Sequence, residues 1–316
     1  MEHQLSLYYY VTASSEEEQG LRRLESRSLF GDEGDGGLLL SSVRVDPGRS
    51  PFLKLRVEVM FEGVNLREIA EQAAGIELGG ATFKVLAIDN EAIGENGKFD
   101  YDEKRKMERE IGSCMRGTAE MRKPDRTFGF ARAGGKWLFG ECAMGEAVWL
   151  THNDKPRKYS TALSTRVARA VVNIAVPRAE GIRAIDPCCG IGTVLVEARS
   201  MGIDIVGREI NPLAATGARE NLTHFGYGET KVTLGDMREI GDRYDVAIID
   251  MPYNLCSVLP DDEKLAMLGS ARRVASRVVF VTVEDIDSAV AEAGFSIRDR
   301  CTVNKGKFVR SVLVCE

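Results

Sequence analysis

Asp250-Met251-Pro252-Tyr253 stands where the apolar run 244–249 (YDVAII) ends. An acid, a rigid proline and an aromatic ring in that order suit one kind of chemistry. The carboxylate and the fixed main chain can accept hydrogen bonds from the N–H groups of an exocyclic amine. The Tyr253 ring can stack on the base that carries the amine, once that base is unpaired or flipped out. Such an amine is a poor nucleophile because its lone pair is delocalised into the ring. Hydrogen bonds to Asp250 and to a carbonyl near Met251 and Pro252 localise that pair and aim it. Positioning is then the main catalytic device, and acceptor electrostatics the second. The expected reaction is methylation of an amino nitrogen. The competing structural explanation makes Tyr253 an ordinary core aromatic.

The methyl donor must be held by the elements that precede this tetrapeptide. Residues 185–193 (IDPCCGIGT) follow one apolar run and open a helix at 194–199. Glycines 190 and 192 let the backbone turn sharply, and the helix N-terminus offers free N–H groups to a carboxylate. Asp186, Cys188, Gly190, Gly192 and Thr193 are therefore candidate cofactor contacts. A dinucleotide fingerprint wants Gly or Ala where Leu195 stands, which disfavours a nicotinamide cofactor. The next apolar run ends at Glu209-Ile210, where an acid about 20 residues after a glycine loop reaches ribose hydroxyls. The third ends at Gly235-Asp236-Met237. Asp236 can accept from an adenine amine, with Ile210 and Met237 against the ring faces. Taken singly, each acid is a common turn former. Their order at successive strand ends, with Asp250 at the fourth, points to an adenosyl ligand without phosphates, S-adenosylmethionine.

These residues need a scaffold, and the periodicity supplies one. Apolar runs at 182–185, 203–206, 231–234, 246–249 and 278–283 alternate with helix-like stretches, which makes a parallel sheet with helices on both faces. The end, 295–303 and 308–315, reads as an antiparallel hairpin closing one edge, turning at 304–307. A helix is expected at 165–176. Upstream, strands are expected at 5–11, 52–61 and 82–88, helices at 16–29, 65–74 and 104–116, and a hairpin over 127–139 turning at Gly134-Gly135. The chain therefore divides into an α+β region over 1–150, a polar linker over 151–163 and an α/β domain over 164–316.

The bulk numbers restrict the partners. The 316 residues are 44% hydrophobic and 28% charged, ordinary for a soluble protein, and no apolar run approaches a membrane span. Seven scattered cysteines, two of them adjacent, argue for a reducing cytoplasm. Without CxxC and with three distant histidines, no zinc site is expected. The net charge of −6 hides an asymmetry: residues 104–178 hold sixteen Lys and Arg against seven Asp and Glu, a local +9, leaving −15 elsewhere. That is the footprint of one phosphate-facing surface. Arg122, Lys123, Lys155, Arg157 and Lys158 are its candidate RNA contacts.

The set DPCCGIGT, GREINP, GDM and DMPY resembles the amino-directed class I methyltransferases, and more narrowly the THUMP-containing tRNA guanine-N2 methyltransferases of the position 10 type. Residues 155–177 resemble the segment leading into that catalytic domain, and 111–140 resemble the end of a THUMP domain. The resemblance implies a Rossmann-like, mostly parallel seven-stranded sheet after a ferredoxin-like or THUMP-like region that binds the tRNA acceptor end. It also implies S-adenosylmethionine bound by Asp186, Gly190, Gly192, Glu209 and Asp236, and the amine bound by Asp250, Pro252 and Tyr253. A small activating protein subunit is a further candidate partner. Two positions depart from the usual Asp-Pro-Pro-Tyr-Gly: Met251, where only the peptide carbonyl is needed, and Asn254, which bears on the base pocket. The same tetrapeptide pattern serves adenine-N6, cytosine-N4 and glutamine-amide methylation. A non-catalytic RNA-binding subunit is the alternative outside enzymes.

Overall fold

The computed structural model describes residues 6–88, 99–252, 260–305 and 308–316. It forms two units, and the chain passes between them three times. Unit 1 comprises Met1–Ala13 and Gly34–Glu146; unit 2 comprises Ser14–Glu33, which carries helix α1 (Gln19–Phe30), and Ala147–Glu316. The division expected from sequence placed everything before residue 151 together. Tertiary contacts give α1 to unit 2 instead. Its apolar stripe (Leu21, Leu24, Leu29) is buried, Asn173 donates to Glu25 at 2.7 Å in the interior, and Arg27 holds Asp299 through two N–H groups.

Among the described residues, unit 1 is a six-stranded sheet with two α-helices. Its strands are β1 (Tyr8–Thr12), β2 (Leu38–Ser41), β3 (Leu53–Gly63), β4 (Phe83–Ala87), β5 (Arg126–Ala133) and β6 (Lys136–Met144), in the order β2-β1-β3-β6-β5-β4. All neighbours are antiparallel except β4 and β5. The β5–β6 hairpin turns at Gly134-Gly135, both at positive φ, as the sequence predicts. Helix α2 (Leu66–Ala73) begins under an Asn65 cap and α3 (Tyr101–Cys114) under an Asp100/Glu103 capping box. Ile69 and Ile111 from these helices pack with Phe128, Phe130 and Phe139 of the sheet. The strand β2 was not legible from sequence.

Unit 2 is a seven-stranded sheet in the order β12-β13-β11-β10-β7-β8-β9. The strands are β7 (Arg183–Asp186), β8 (Asp204–Glu209), β9 (Val232–Leu234), β10 (Tyr244–Asp250), β11 (Ala275–Thr282), β12 (Ile297–Lys305) and β13 (Phe308–Cys315). The central pairs are parallel, and β13 is antiparallel to both β11 and β12. The expected terminal hairpin therefore sits with its second strand inserted beside β11 and its first at the edge. The helices are α4 (Thr165–Ala175), α5 (Thr193–Ser200), α6 (Pro212–His224), α7 (Asp261–Val274) and α8 (Asp287–Glu292). Within β10, residues 246–249 form an unbroken apolar run because both faces are covered there: Ala247, Ile248 and Ile249 have no exposed surface. Its neighbour Phe280 and the β13 residue Leu313 complete the same core.

The segment 151–163 is not a free linker. A 3-10 stretch over Val148–Asp154 buries Trp149 and His152, and Leu163 is buried as well. His152 meets Glu197 of α5 at 2.7 Å, and Arg169 of α4 donates to the other oxygen of Glu197 at 2.8 Å. Glu197 is fully buried, and these two partners offset the cost of enclosing its carboxyl group. The three side chains fasten the segment against α4 and α5. Among the described residues, no helix is long and apolar enough to cross a membrane.

Candidate active site

A cleft of about 440 Å³ opens at the carboxyl ends of β7, β8, β9 and β10, where ligands bind in open α/β sheets. Its volume falls in the range of small-molecule sites, roughly 300–1,000 Å³. Four strand ends deliver four acids to it: Asp186, Glu209, Asp236 and Asp250.

The loop after β7 is shaped by two glycines. Gly190 and Gly192 have φ of 53° and 79°, conformations that a side chain disfavours. At Gly192 an added Cβ would press on Ala218 of α6 at 3.1 Å, so this glycine also permits helix packing. At Gly190 the corresponding space is open, so its Cα faces room for a ligand. Glu209 fixes this loop. Its carboxylate accepts from the Gly190 N–H at 2.7 Å and from the Asn211 N–H at 2.8 Å. Each oxygen already has one main-chain donor, so contact with a ribose uses the remaining lone pairs.

Asp186 is buried and accepts from the Cys188 N–H at 3.2 Å. Burial drives its carboxyl well above the ordinary range, and the nearby charges of Asp250 and Glu209 push the same way. Asp236 lies at the opposite extreme. Arg238 donates to it from main chain and guanidinium and holds it below the usual carboxylate range. Met237 is buried with its sulfur 3.5 Å from that of Cys188, while Ile210 lines the cleft with 65% of its surface exposed. Apolar walls of this kind suit an uncharged ring. Burial also pushes the Cys188 thiol far up, so it acts as wall rather than nucleophile.

Asp250 ends β10. Its Oδ1 is buried and has no hydrogen-bond partner among the described residues. Burial pushes the carboxyl up to about 7, opposed by the positive charge of Arg310. A buried, unpartnered acceptor costs about 1–3 kcal/mol, so it is retained where a ligand completes it. The next residue, Met251, donates its N–H to the Val281 carbonyl at 2.8 Å and is buried in the core. Pro252 is exposed and lines the cleft with Asp250. Tyr253 and Asn254, the expected base-stacking ring and its neighbour, lie outside the described residues.

The expected RNA contacts divide. Arg122 and Lys123 are exposed on unit 1, with no ion pair to an acid among the described residues. Lys158 is exposed on unit 2. Arg157 is exposed but engaged by Glu220, and its main chain is stapled to Asn221. Lys155 requires a correction. Its ammonium turns inward to the Thr193 hydroxyl at 3.3 Å, at the start of α5, and burial lowers its pKa. The packing of the 3-10 stretch against α5 draws it toward the cleft. The local basic excess is smaller than the sequence count suggests, because Lys136, Arg166 and Arg169 are paired with acids from outside that stretch, Glu62, Glu18 and Glu197. Sequence reasoning missed Thr161, Leu163 and Arg238 as cleft residues and Arg310 as their neighbour. Only tertiary structure brings them there.

The arrangement has counterparts among known proteins. Residues 153–256 match the family model described as UPF0020: RMKL-like, methyltransferase domain. This stretch runs from the buried segment before α4 through the Asp250 tetrapeptide. Over 170 residues the chain is 31% identical to a tRNA (guanine(10)-N2)-dimethyltransferase of Methanothermobacter thermautotrophicus, covering 50% of each protein. It is 31% identical over 157 residues to the enzyme of the same name from Pyrococcus abyssi, covering 46% of this chain and 47% of that one. The chain thus spans about half the length of the curated relatives it matches. Among solved structures, TrmN from Thermus thermophilus aligns with 98% of the chain and 99% of its own length, at 18% identity and a TM-score of 0.49. The seven-stranded sheet, with its single antiparallel strand beside β11, is the mostly parallel sheet that the sequence resemblance implies.

The cleft residues fit S-adenosylmethionine. Clustered acids suit a cationic ligand, the open side of Gly190 admits its close approach, and the N-terminus of α5 with Lys155 suits its carboxylate.

Proposed function

We propose that the chain is an S-adenosylmethionine-dependent RNA methyltransferase acting on the exocyclic N2 amine of a guanosine in tRNA, at a site of the position 10 type. One observation carries this reading: a buried, unpartnered carboxylate oxygen on Asp250 at the end of β10, in the same cleft as the glycine loop. Asp186, the Gly190 loop and Glu209 hold the donor, with Ile210 and Met237 about its ring. Thr193 and Lys155 take its carboxylate end. Bound there, S-adenosylmethionine supplies an electrophilic methyl on sulfur.

The chain's own work is to prepare the nitrogen. Asp250 Oδ1 accepts one N–H of the amine, and a main-chain carbonyl near Met251 and Pro252 accepts the other. These bonds localise the lone pair and fix its direction. Once methylated, the amine nitrogen would be acidic, and Asp250 would take up its proton. A carboxyl near 7 is suited to that exchange at neutral pH. Pro252 limits the main chain at this point; the expected stacking ring, Tyr253, lies outside the described residues.

The exposed Arg122 and Lys123 of unit 1 and Lys158 of unit 2 contribute phosphate contacts, which makes unit 1 the THUMP-like tRNA-binding unit. The same reading places the protein in the cytoplasm, consistent with six free cysteines among the described residues. Purified protein incubated with an unmodified tRNA transcript and S-adenosylmethionine should yield N2-methylated guanosine, detected by mass spectrometry of nucleosides. A methyl found instead on adenine N6 would overturn the choice of base. Transfer only after a cell extract is added would establish the need for a small activating subunit.

A further inference from the structure

Asp250 lies in a neighbourhood crowded with acids. Asp186 from β7 and Glu209 from β8 line the same cleft, as do Asp236 from the end of β9 and Glu263 from α7. Two nearby cations are turned to other acids: Arg238 to Asp236, and Lys264 to Asp261 and Glu284. Among the described residues, the cation that bears on Asp250 is Arg310, on the antiparallel strand β13.

The register explains how a residue so far downstream comes to this place. Asp250, Val281 and Val312 stand level across β10, β11 and β13. Side chains level with one another across a sheet share a face, and positions two apart on a strand share it too. Arg310 therefore projects on the face of Asp250. Because β13 runs antiparallel, it lies beyond the end of β10 rather than below it. Arg310 is buried, with 9% of its surface exposed, and its guanidinium donates to the Thr161 carbonyl at 3.3 Å. Thr161 is itself a wall of the cleft. One side chain thus touches the segment that covers the cleft and sits within electrostatic reach of the proposed amine acceptor.

We propose that Arg310 is a positioning residue of the amine pocket: it anchors the Thr161 wall and holds Asp250 in the ionised form that accepts from an amine. The inference rests on the reading of Asp250 given above. A neutral carboxyl keeps an O–H donor in the pocket, which faces the N–H groups of the amine donor to donor. Burial favours that neutral form, and Arg310 opposes it. A lysine at 310 keeps the charge without the guanidinium's reach to Thr161, whereas methionine removes both.

The test follows the Asp250 carboxyl directly and transfer separately. Full-length protein with 13C-labelled aspartate is titrated by NMR, with the Asp250 signal assigned from Asp250→Asn. In the Arg310→Met protein the midpoint should move up by about one pH unit, and in Arg310→Lys it should return most of the way. In parallel, the acid limb of kcat for methyl transfer should move with the midpoint. Arg310→Met should lose roughly tenfold at pH 6.5 and less than twofold at pH 9. An unmoved midpoint in a folded Arg310→Met protein overturns the inference, as does a loss of kcat equal at every pH. Should Arg310→Met fail to fold, Arg310→Gln carries the decision: a midpoint raised by about a unit supports the role of charge, and an unmoved one overturns it. A midpoint that moves in a protein with no transfer to any RNA refutes the proposed function and leaves standing only the hold of Arg310 on the Asp250 carboxyl.

Discussion

Replacing Asp250 by asparagine should make the protein inactive and should raise its stability relative to wild type as pH climbs toward 8. The carboxyl is lifted from an ordinary 3.8 to about 7 in the folded state. Between those values the folded protein binds a proton that the unfolded chain does not, so stability falls as pH rises through the window and levels off above it. The full interval corresponds to roughly 4 kcal/mol, at about 1.4 kcal/mol per pH unit. Asp250 keeps some contact with solvent, so about half of that, ~2 kcal/mol, is the working value. An asparagine has no such dependence. Whatever constant effect its amide has, the stability of Asp250→Asn relative to wild type should grow by ~2 kcal/mol from pH 4.5 to pH 8. For a unit of this size that is a relative gain in Tm of roughly 4–8 °C. Calorimetric melts of both proteins across this range give the answer, with cofactor affinity measured alongside and expected to stay within a few-fold. A Tm difference that is flat with pH would refute the burial argument. Undiminished methyl transfer would refute the proposed role.

Other predictions follow from the remaining cleft and from the division into units. Lys155→Ala should weaken S-adenosylmethionine binding by about tenfold and leave tRNA affinity unchanged, because its ammonium faces Thr193; calorimetry with each ligand separates the two. Charge reversal at Arg122 and Lys123 should weaken tRNA binding and reduce the slope of log K against log salt by about 1 for each phosphate no longer neutralised; an unchanged slope moves the RNA surface elsewhere. A fragment of residues 147–316 should melt without cooperativity until a peptide of residues 14–33 is added, since α1 buries Leu21, Leu24 and Leu29 in unit 2; a cooperative melt of the fragment alone would refute the assignment.

What the sequence made legible was local. The run YDVAII reads as a buried strand because both faces of β10 are covered, and an acid at its end is then necessarily at the sheet's carboxyl edge. The glycines at 190 and 192 signalled a turn that the φ values bear out. What escaped depended on contacts between distant segments. The pattern of α1 shows an apolar stripe but not its partner, which is fixed by Glu25 meeting Asn173 and Arg27 meeting Asp299. Lys155 counts as one more positive charge in KPRK until packing turns it toward Thr193. Arg310 carries no local signal at all, because its place is set by the register of β13.

The assignment of α1 to unit 2 also has a consequence in time. Arg27 and its partner Asp299 are 272 residues apart. At a synthesis rate of roughly 5–20 residues per second, the helix leaves the ribosome about 14–54 seconds before that partner does. Within that interval unit 1 is completed and can close on itself, while Leu21, Leu24 and Leu29 wait for the part of unit 2 that covers them. A nascent chain stalled before α4 should therefore present this helix to a chaperone, and one stalled after β12 should not.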